Sequence, residues 1–126
     1  MSVENEMQLQ QLEISMSQAK KRIAKMDILK RLVKNKDFKE LIEEDYFEKE
    51  PGRLTLLLAD PSCQDEEIQK DIHNQMIAIA YLRRYFVGIN QMGRTAIASL
   101  EADEQTQEEI LAEDLGIELE DTGTEG

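Results

Sequence analysis

The feature that most constrains this chain is an apolar seam near its amino end. The seam residues step by three and four positions, the heptad spacing of a helix that packs against another helix. They are Leu9, Leu12, Met16, Ala19, Ile23 and Met26. Because the flanks are Gln, Ser, Lys and Glu, the stripe is narrow and suits a helical partner better than a broad core. We therefore expect a first helix over about residues 3–34, capped by Ser2.

A second apolar stripe with the same spacing occupies the second half of the chain. It runs through Ile68, Ile72, Met76, Ile79, Leu82, Phe86 and Ile89, and its phase continues at Gly93, Ala96 and Leu100. The stripe predicts a long helix over about residues 63–99, capped by Asp60 or Ser62. Since glycine weakens a helix, a kink or loop at residues 88–93 stays an alternative.

Between the two stripes, turn signals predict two short helices. Residues 35–37 end the first helix, and Asp37 with Glu40 has the spacing of a capping box. We expect an aromatic and aliphatic part of the core in Phe38, Leu41, Ile42, Tyr46 and Phe47. Residues 50–52 predict a break before a second short helix at 51–59, which Pro61 ends. With only 5% aromatic residues, the composition favours an all-α fold over a sheet.

Charge is segregated along the chain. Residues 11–36 hold eight basic and two acidic residues, whereas residues 101–126 hold eleven acidic residues and no basic one. The net charge is −12. Opposite charges at the two ends can attract each other within one chain or between copies. We expect Arg83 and Arg84 to pair with the acidic tail of the same or a neighbouring copy.

These patterns predict a division into three segments. Residues 1–34 form the heptad helix, 35–100 the helical core, and 101–126 an acidic tail that is partly disordered. Within the tail, Thr106 and Glu109 have the spacing of a capping box, and Gly116 is suited to end the short helix that would follow. The predicted protein-interface residues are Leu9, Leu12, Met16, Ile23, Met26, Arg83 and Arg84.

No pattern in the chain favours catalysis, a metal or a cofactor. His73 has no second ligand at zinc spacing, and Cys63 has no histidine near it in sequence to act as a base. Phosphate-binding and nucleophile motifs are absent from the sequence. The strong acidity argues against direct nucleic-acid binding, and the apolar runs are too short for a membrane span. We expect no signal peptide in residues 1–10.

The middle of the chain, about residues 30–110, resembles short, acidic, helical proteins that tailed bacteriophages encode among their head and packaging genes. The resemblance lies in NKDFKELI at 35–42, YF at 46–47, RL at 53–54, LLADP at 57–61 and AIAYLRRYF at 78–86. These are packing and capping residues. The resemblance implies a role in virion assembly and no catalytic site.

The sequence thus predicts a non-enzymatic phage virion-structural or assembly protein. It would self-associate into a homo-oligomer through its first helix and dock on a phage head or portal-associated protein, in the host cytoplasm or the virion. The alternative is an acidic inhibitor that mimics nucleic acid and blocks a host or defence nucleic-acid-binding protein. The seam favours the first reading, and the acidic tail is compatible with both.

Overall fold

Three helices account for nearly all of the described chain. The computed structural model describes residues 2–116. Helix α1 covers Val3–Leu32, α2 covers Lys36–Ala59 in three consecutive parts, and α3 covers Glu66–Asp114. A short 3₁₀ turn, Pro61–Cys63, joins α2 to α3. The predicted all-α class with two long helices is confirmed, and residues 2–116 contain no strand.

The ends of α1 follow from local hydrogen bonds. The Ser2 hydroxyl oxygen accepts a hydrogen bond from the Asn5 amide at 3.0 Å, which confirms the predicted cap. After α1 ends, Asn35 caps the next helix by accepting a hydrogen bond from the Phe38 amide at 3.0 Å. The capping box predicted at Asp37 and Glu40 is wrong, because Asn35 lies in extended backbone and begins the helix two residues earlier.

Helix α2 continues through the predicted break at residues 50–52. Its α-helical turn Lys36–Phe38 leads into a π-helical stretch, Lys39–Lys49, and then into the α-helical part Glu50–Ala59. At the junction, the Glu50 amide donates to the Asp45 carbonyl, five residues back. Pro51 has no amide hydrogen, and in α-geometry its ring would contact the carbonyl four residues before it. The wider π-helical turns directly before Pro51 let the helix pass this residue without a break.

Helix α3 is longer than predicted and runs without a break through Gly88 and Gly93 to Asp114. The capping box at Thr106 is wrong, because the Thr106 hydroxyl donates to the Ala102 carbonyl four residues back, within the helix. Asp60 caps the 3₁₀ turn instead of α3, with its carboxylate 2.8 Å from the Ser62 amide. Gly116 has a positive φ of 67°, which confirms the predicted glycine stop. The rest of the acidic tail, 117–126, lies outside the described residues.

Contacts divide the chain into two units. Unit 1 comprises Met1–Lys25 and Met92–Gly126, and unit 2 comprises Met26–Gln91. The core of unit 2 is formed by Leu54, Ile72 and Ile79. The side chains packed against this core are Tyr46, Phe47, Leu57, Leu58, Cys63 and Met76. Leu54 is fully buried, and removing such a side chain from water contributes roughly 2–3 kcal/mol.

Aromatic contacts complete unit 2. The Phe86 ring lies edge-on to Phe38 and Phe47, with centroid distances of 5.8 and 6.1 Å. The predicted aromatic part of the core is confirmed for Tyr46 and Phe47, which pack against the unit 2 core, but Leu41 is 62% exposed. Leu41 falls off the buried face because the π-helix has more residues per turn, so a step of three residues no longer returns to one side.

Candidate self-association surface

Unit 1 is an antiparallel pair of helical segments. The Asn5 side-chain amide donates to Asp114 Oδ1 at 2.8 Å, and Ser15 Oγ donates to Asp103 Oδ2 at 2.7 Å. Ten residues separate the two positions on α1 and eleven separate those on α3, in opposite chain directions. These two hydrogen bonds therefore fix the register between the amino-terminal part of α1 and the carboxy-terminal part of α3.

The predicted seam lies partly within this pair. Leu9, Leu12, Met16 and Ile23 are each half-buried, and Ala19 is buried. Met26 is also buried but belongs to unit 2. Two helices cover only one side of each other, so a seam between them stays open along its edges. Unit 1 thus leaves apolar surface at Leu9, Leu12, Met16 and Ile23 that a further helix would cover.

Most of the buried residues of unit 1 have small side chains; Ile110 of α3 is the large one among the described residues. Ala19 on α1 and Gly93 and Ala96 on α3 are all buried. Ala98, also on α3, is exposed. The small buried residues let two helix backbones lie close together with little side-chain volume between them.

The register of unit 1 aligns like charges with like charges. Residues 2–17 of α1 lie beside 101–114 of α3, and together these segments, the acidic end, hold ten carboxylates and no Lys or Arg. The basic end, residues 20–25 with 92–100, carries Lys20, Lys21, Arg22, Lys25 and Arg94 and no carboxylate. Among residues 2–116, the ion pairs are Lys49 with Asp45 and Arg53 with Glu50, and both lie in unit 2. The opposite charges of unit 1 therefore do not neutralise each other across the helix pair.

An open groove follows one side of α1 in unit 1. Its volume is about 600 Å³. It is lined by Glu13, Met16, Ser17, Lys20, Lys21 and Ala24, with Gln107 from α3. A second groove, of about 420 Å³, is lined by Gln18, Lys21, Arg22, Lys25 and Met92. The first groove combines an apolar side chain of the seam with both signs of charge.

Arg83 and Arg84, the other two predicted interface residues, are exposed in unit 2. Arg83 lines a groove of about 310 Å³ with Leu29, Phe47 and Phe86. Neither arginine forms an ion pair with another residue of the described range 2–116. Their pairing with the acidic tail stays a prediction, since residues 117–126 lie outside that range.

Cys63 and His73, the two side chains considered as catalytic or metal-binding residues, lie in different surroundings. Cys63 packs against the unit 2 core, with its Sγ 3.7 Å from Ser62 Oγ. His73 is exposed on α3. Within residues 2–116, no three His, Cys, Asp or Glu side chains are grouped closely enough to hold a metal ion.

Two local hydrogen-bond arrangements shift pKa values in unit 2. The Arg53 guanidinium donates to both Glu50 carboxylate oxygens, at 2.7 and 2.9 Å, which lowers the pKa of Glu50 and raises that of Arg53. The Ser62 amide and hydroxyl both donate to Asp60, which lowers the pKa of its carboxyl. The first arrangement lies within α2, and the second begins the 3₁₀ turn Pro61–Cys63.

Sequence reasoning missed the polar side chains that fix unit 1. Asn5, Ser15 and Asp103 form its two cross-helix hydrogen bonds, and Glu13 and Ser17 line its larger groove. The sequence did contain a signal for the groove residues, in the spacing of Glu13 and Lys20. Glu13 and Lys20 are seven residues apart, so a heptad helix places them on the same side as Met16.

Comparison with known proteins gives no relative. No family model, no curated protein and no solved structure matches the chain. Among the described residues, no helix is both long and apolar enough to cross a membrane.

Proposed function

We propose that this chain is a non-enzymatic phage virion-structural or assembly protein that acts by helix–helix self-association and docks on a head component. The observation that carries the proposal is the half-buried seam of unit 1. Leu9, Leu12, Met16 and Ile23 face a helical partner within the chain and still keep accessible apolar surface. Association of a second helix pair would remove that surface from water.

The unequal charge distribution supports docking by complementarity. Unit 1 presents an acidic and a basic end, and charged surfaces of this kind set partner choice and orientation. The assignment to a phage head rests on the resemblance of about residues 30–110 to phage head-region proteins.

The experiment is sedimentation analysis of the full chain up to high micromolar concentration, followed by mass spectrometry of purified phage particles. We expect sedimentation to show an oligomer in solution. We expect mass spectrometry to detect the chain in particles or assembly intermediates, alone or in complex with a head protein. A monomer that binds no head protein would contradict the proposal.

The acidic end of unit 1 favours the second candidate, an inhibitor that mimics nucleic acid. Its ten carboxylates lie along two adjacent helical segments without a basic residue between them. Deleting residues 101–126 would not test this candidate cleanly, because residues 101–114 pair with α1. Replacing the exposed Glu104, Glu108 and Glu109 with Gln keeps the helix and removes charge. The inhibitor reading predicts that this variant loses salt-sensitive binding to a basic partner, whereas the assembly reading predicts that self-association persists.

A further inference from the structure

The charge pattern of the larger groove of unit 1 is complementary to the same pattern in a second copy placed in the opposite direction. Glu13 lies about one helical turn before the midpoint between Met16 and Ser17, and Lys20 lies the same distance after it. Because Glu13 and Lys20 are seven residues apart, both project from the same side of α1. Two copies of this surface placed in opposite directions would bring each carboxylate onto the other copy's amine.

The charged side chains of the groove have no partner on their own helix. No residue of opposite charge lies three or four positions from Glu13, Lys20 or Lys21, the spacing at which helical ion pairs form. None of the three forms an ion pair with any residue in the described range 2–116. Across the helix pair, the register sets the basic end of α1 beside residues 92–100, which contain no carboxylate. The groove therefore presents exposed charge of both signs at matched distances from one point.

We propose that two copies of the chain pair through this groove in an antiparallel, two-fold arrangement centred between Met16 and Ser17. Glu13 of each copy lies on the partner's Lys20, and Met16 contributes the apolar centre. The inference rests on the proposed self-association and specifies its geometry.

The charges in the rest of unit 1 also favour an antiparallel arrangement of the two copies. In an antiparallel pair the acidic end of one copy lies over the basic end of the other, and the two-fold axis repeats this contact. A parallel pair would instead set ten carboxylates against ten. The free-energy cost of placing like charges opposite each other is larger than the gain in affinity from matched opposite charges. The five basic residues of one copy thus lie over the acidic end of the other, a contact that unit 1 does not make internally.

The test uses two charge-reversed full-length variants, Glu13→Lys and Lys20→Glu. Each changes two contacts of a two-fold dimer, so we expect the dissociation constant of each variant with itself to rise about tenfold. Mixing the two variants restores opposite charges at both contacts, so an equimolar mixture should dimerise like the wild-type chain. Sedimentation velocity at low salt measures all four samples, and far-ultraviolet circular dichroism checks that the helices persist.

Cysteine cross-linking locates the centre independently. In a Cys63→Ala background, Ser17→Cys lies beside the two-fold axis and should form an intermolecular disulfide quickly. Gln11→Cys is the matched control, since Gln11 is also exposed on α1 but does not line the groove.

Three results would overturn the inference. Unchanged self-association of both charge variants, or equal cross-linking of Ser17→Cys and Gln11→Cys, would reject this geometry and leave the proposed self-association intact. A wild-type chain that stays monomeric would reject both. Slow alkylation of Ser17→Cys in such a monomer would show that another segment of the same chain covers the groove.

Discussion

Units 1 and 2 bury their apolar side chains to different extents. In unit 2, α2 and α3 enclose Leu54, Ile72 and Ile79, and aromatic rings extend the packing. In unit 1, Ile110 of α3 is buried, but the larger seam residues of α1, Leu9, Leu12, Met16 and Ile23, are only half-buried. Unit 2 contains both ion pairs of the described chain, whereas unit 1 keeps its opposite charges apart. The difference predicts that unit 2 contributes more to the stability of the fold, and it supports the proposed association through unit 1.

The largest expected effect is on unit 2. Leu54→Ala removes a fully buried side chain and leaves a cavity, so it should lower the free energy of unfolding by about 3 kcal/mol. Leu56 is the matched control on the same helix, because it is 76% exposed, and Leu56→Ala should change stability by less than about 0.5 kcal/mol. Urea denaturation measures both variants. Equal losses for the two would contradict a core centred on Leu54.

The next prediction concerns the seam of unit 1. Replacing both Leu12 and Ile23 with Asp places charge on half-buried apolar positions and should abolish self-association. Hydrogen exchange should still show protection in residues 26–91, which belong to unit 2. Ile14→Asp is the control, since Ile14 is 61% exposed and outside the seam. If the double variant unfolds completely, the seam serves folding of the single chain.

A smaller effect is expected from the cross-helix hydrogen bond of unit 1. Ser15→Ala removes the donor to Asp103 and should destabilise the chain by about 1 kcal/mol. The loss should appear in hydrogen exchange of residues 2–25 before it appears in unit 2. Ser17→Ala, at an exposed position, should have little effect on monomer stability. Identical exchange in both variants would contradict the register derived for unit 1.

The smallest effect is a pH dependence in unit 2. The folded-state pKa of Asp60 is below its ordinary value of 3.8, so the hydrogen bonds from Ser62 stabilise the protein above that pH and are lost as the pH falls further. Asp60→Asn keeps an oxygen acceptor without a titrating group. Its melting temperature should therefore fall less between pH 5 and pH 2 than that of the wild type, at roughly matched salt. An exposed control, Asp65→Asn, should follow the wild type.

Helix content was predictable because the apolar spacing of α1 and α3 persists over many turns. The errors lie where a local signal met a tertiary constraint. Pro51 predicts a break, but the π-helical turns before it carry α2 onward. Thr106 predicts a cap, but α3 continues through this stretch, where Ile110 and Ala112 are buried and the Thr106 hydroxyl donates to the Ala102 carbonyl. Spacing alone specifies which residues share a helix side, and it does not specify which partner covers them.

The hydrogen bond between Asn5 and Asp114 has a practical consequence for engineering. It brings residues near the two ends of the described chain within 2.8 Å of each other. A circularly permuted form of residues 2–116 should therefore need only a short linker between residues 2 and 116, and its new ends can be opened at the turn after Leu32. Such a rearranged chain would carry fusion partners at the turn after Leu32 and would place no chain end in unit 1.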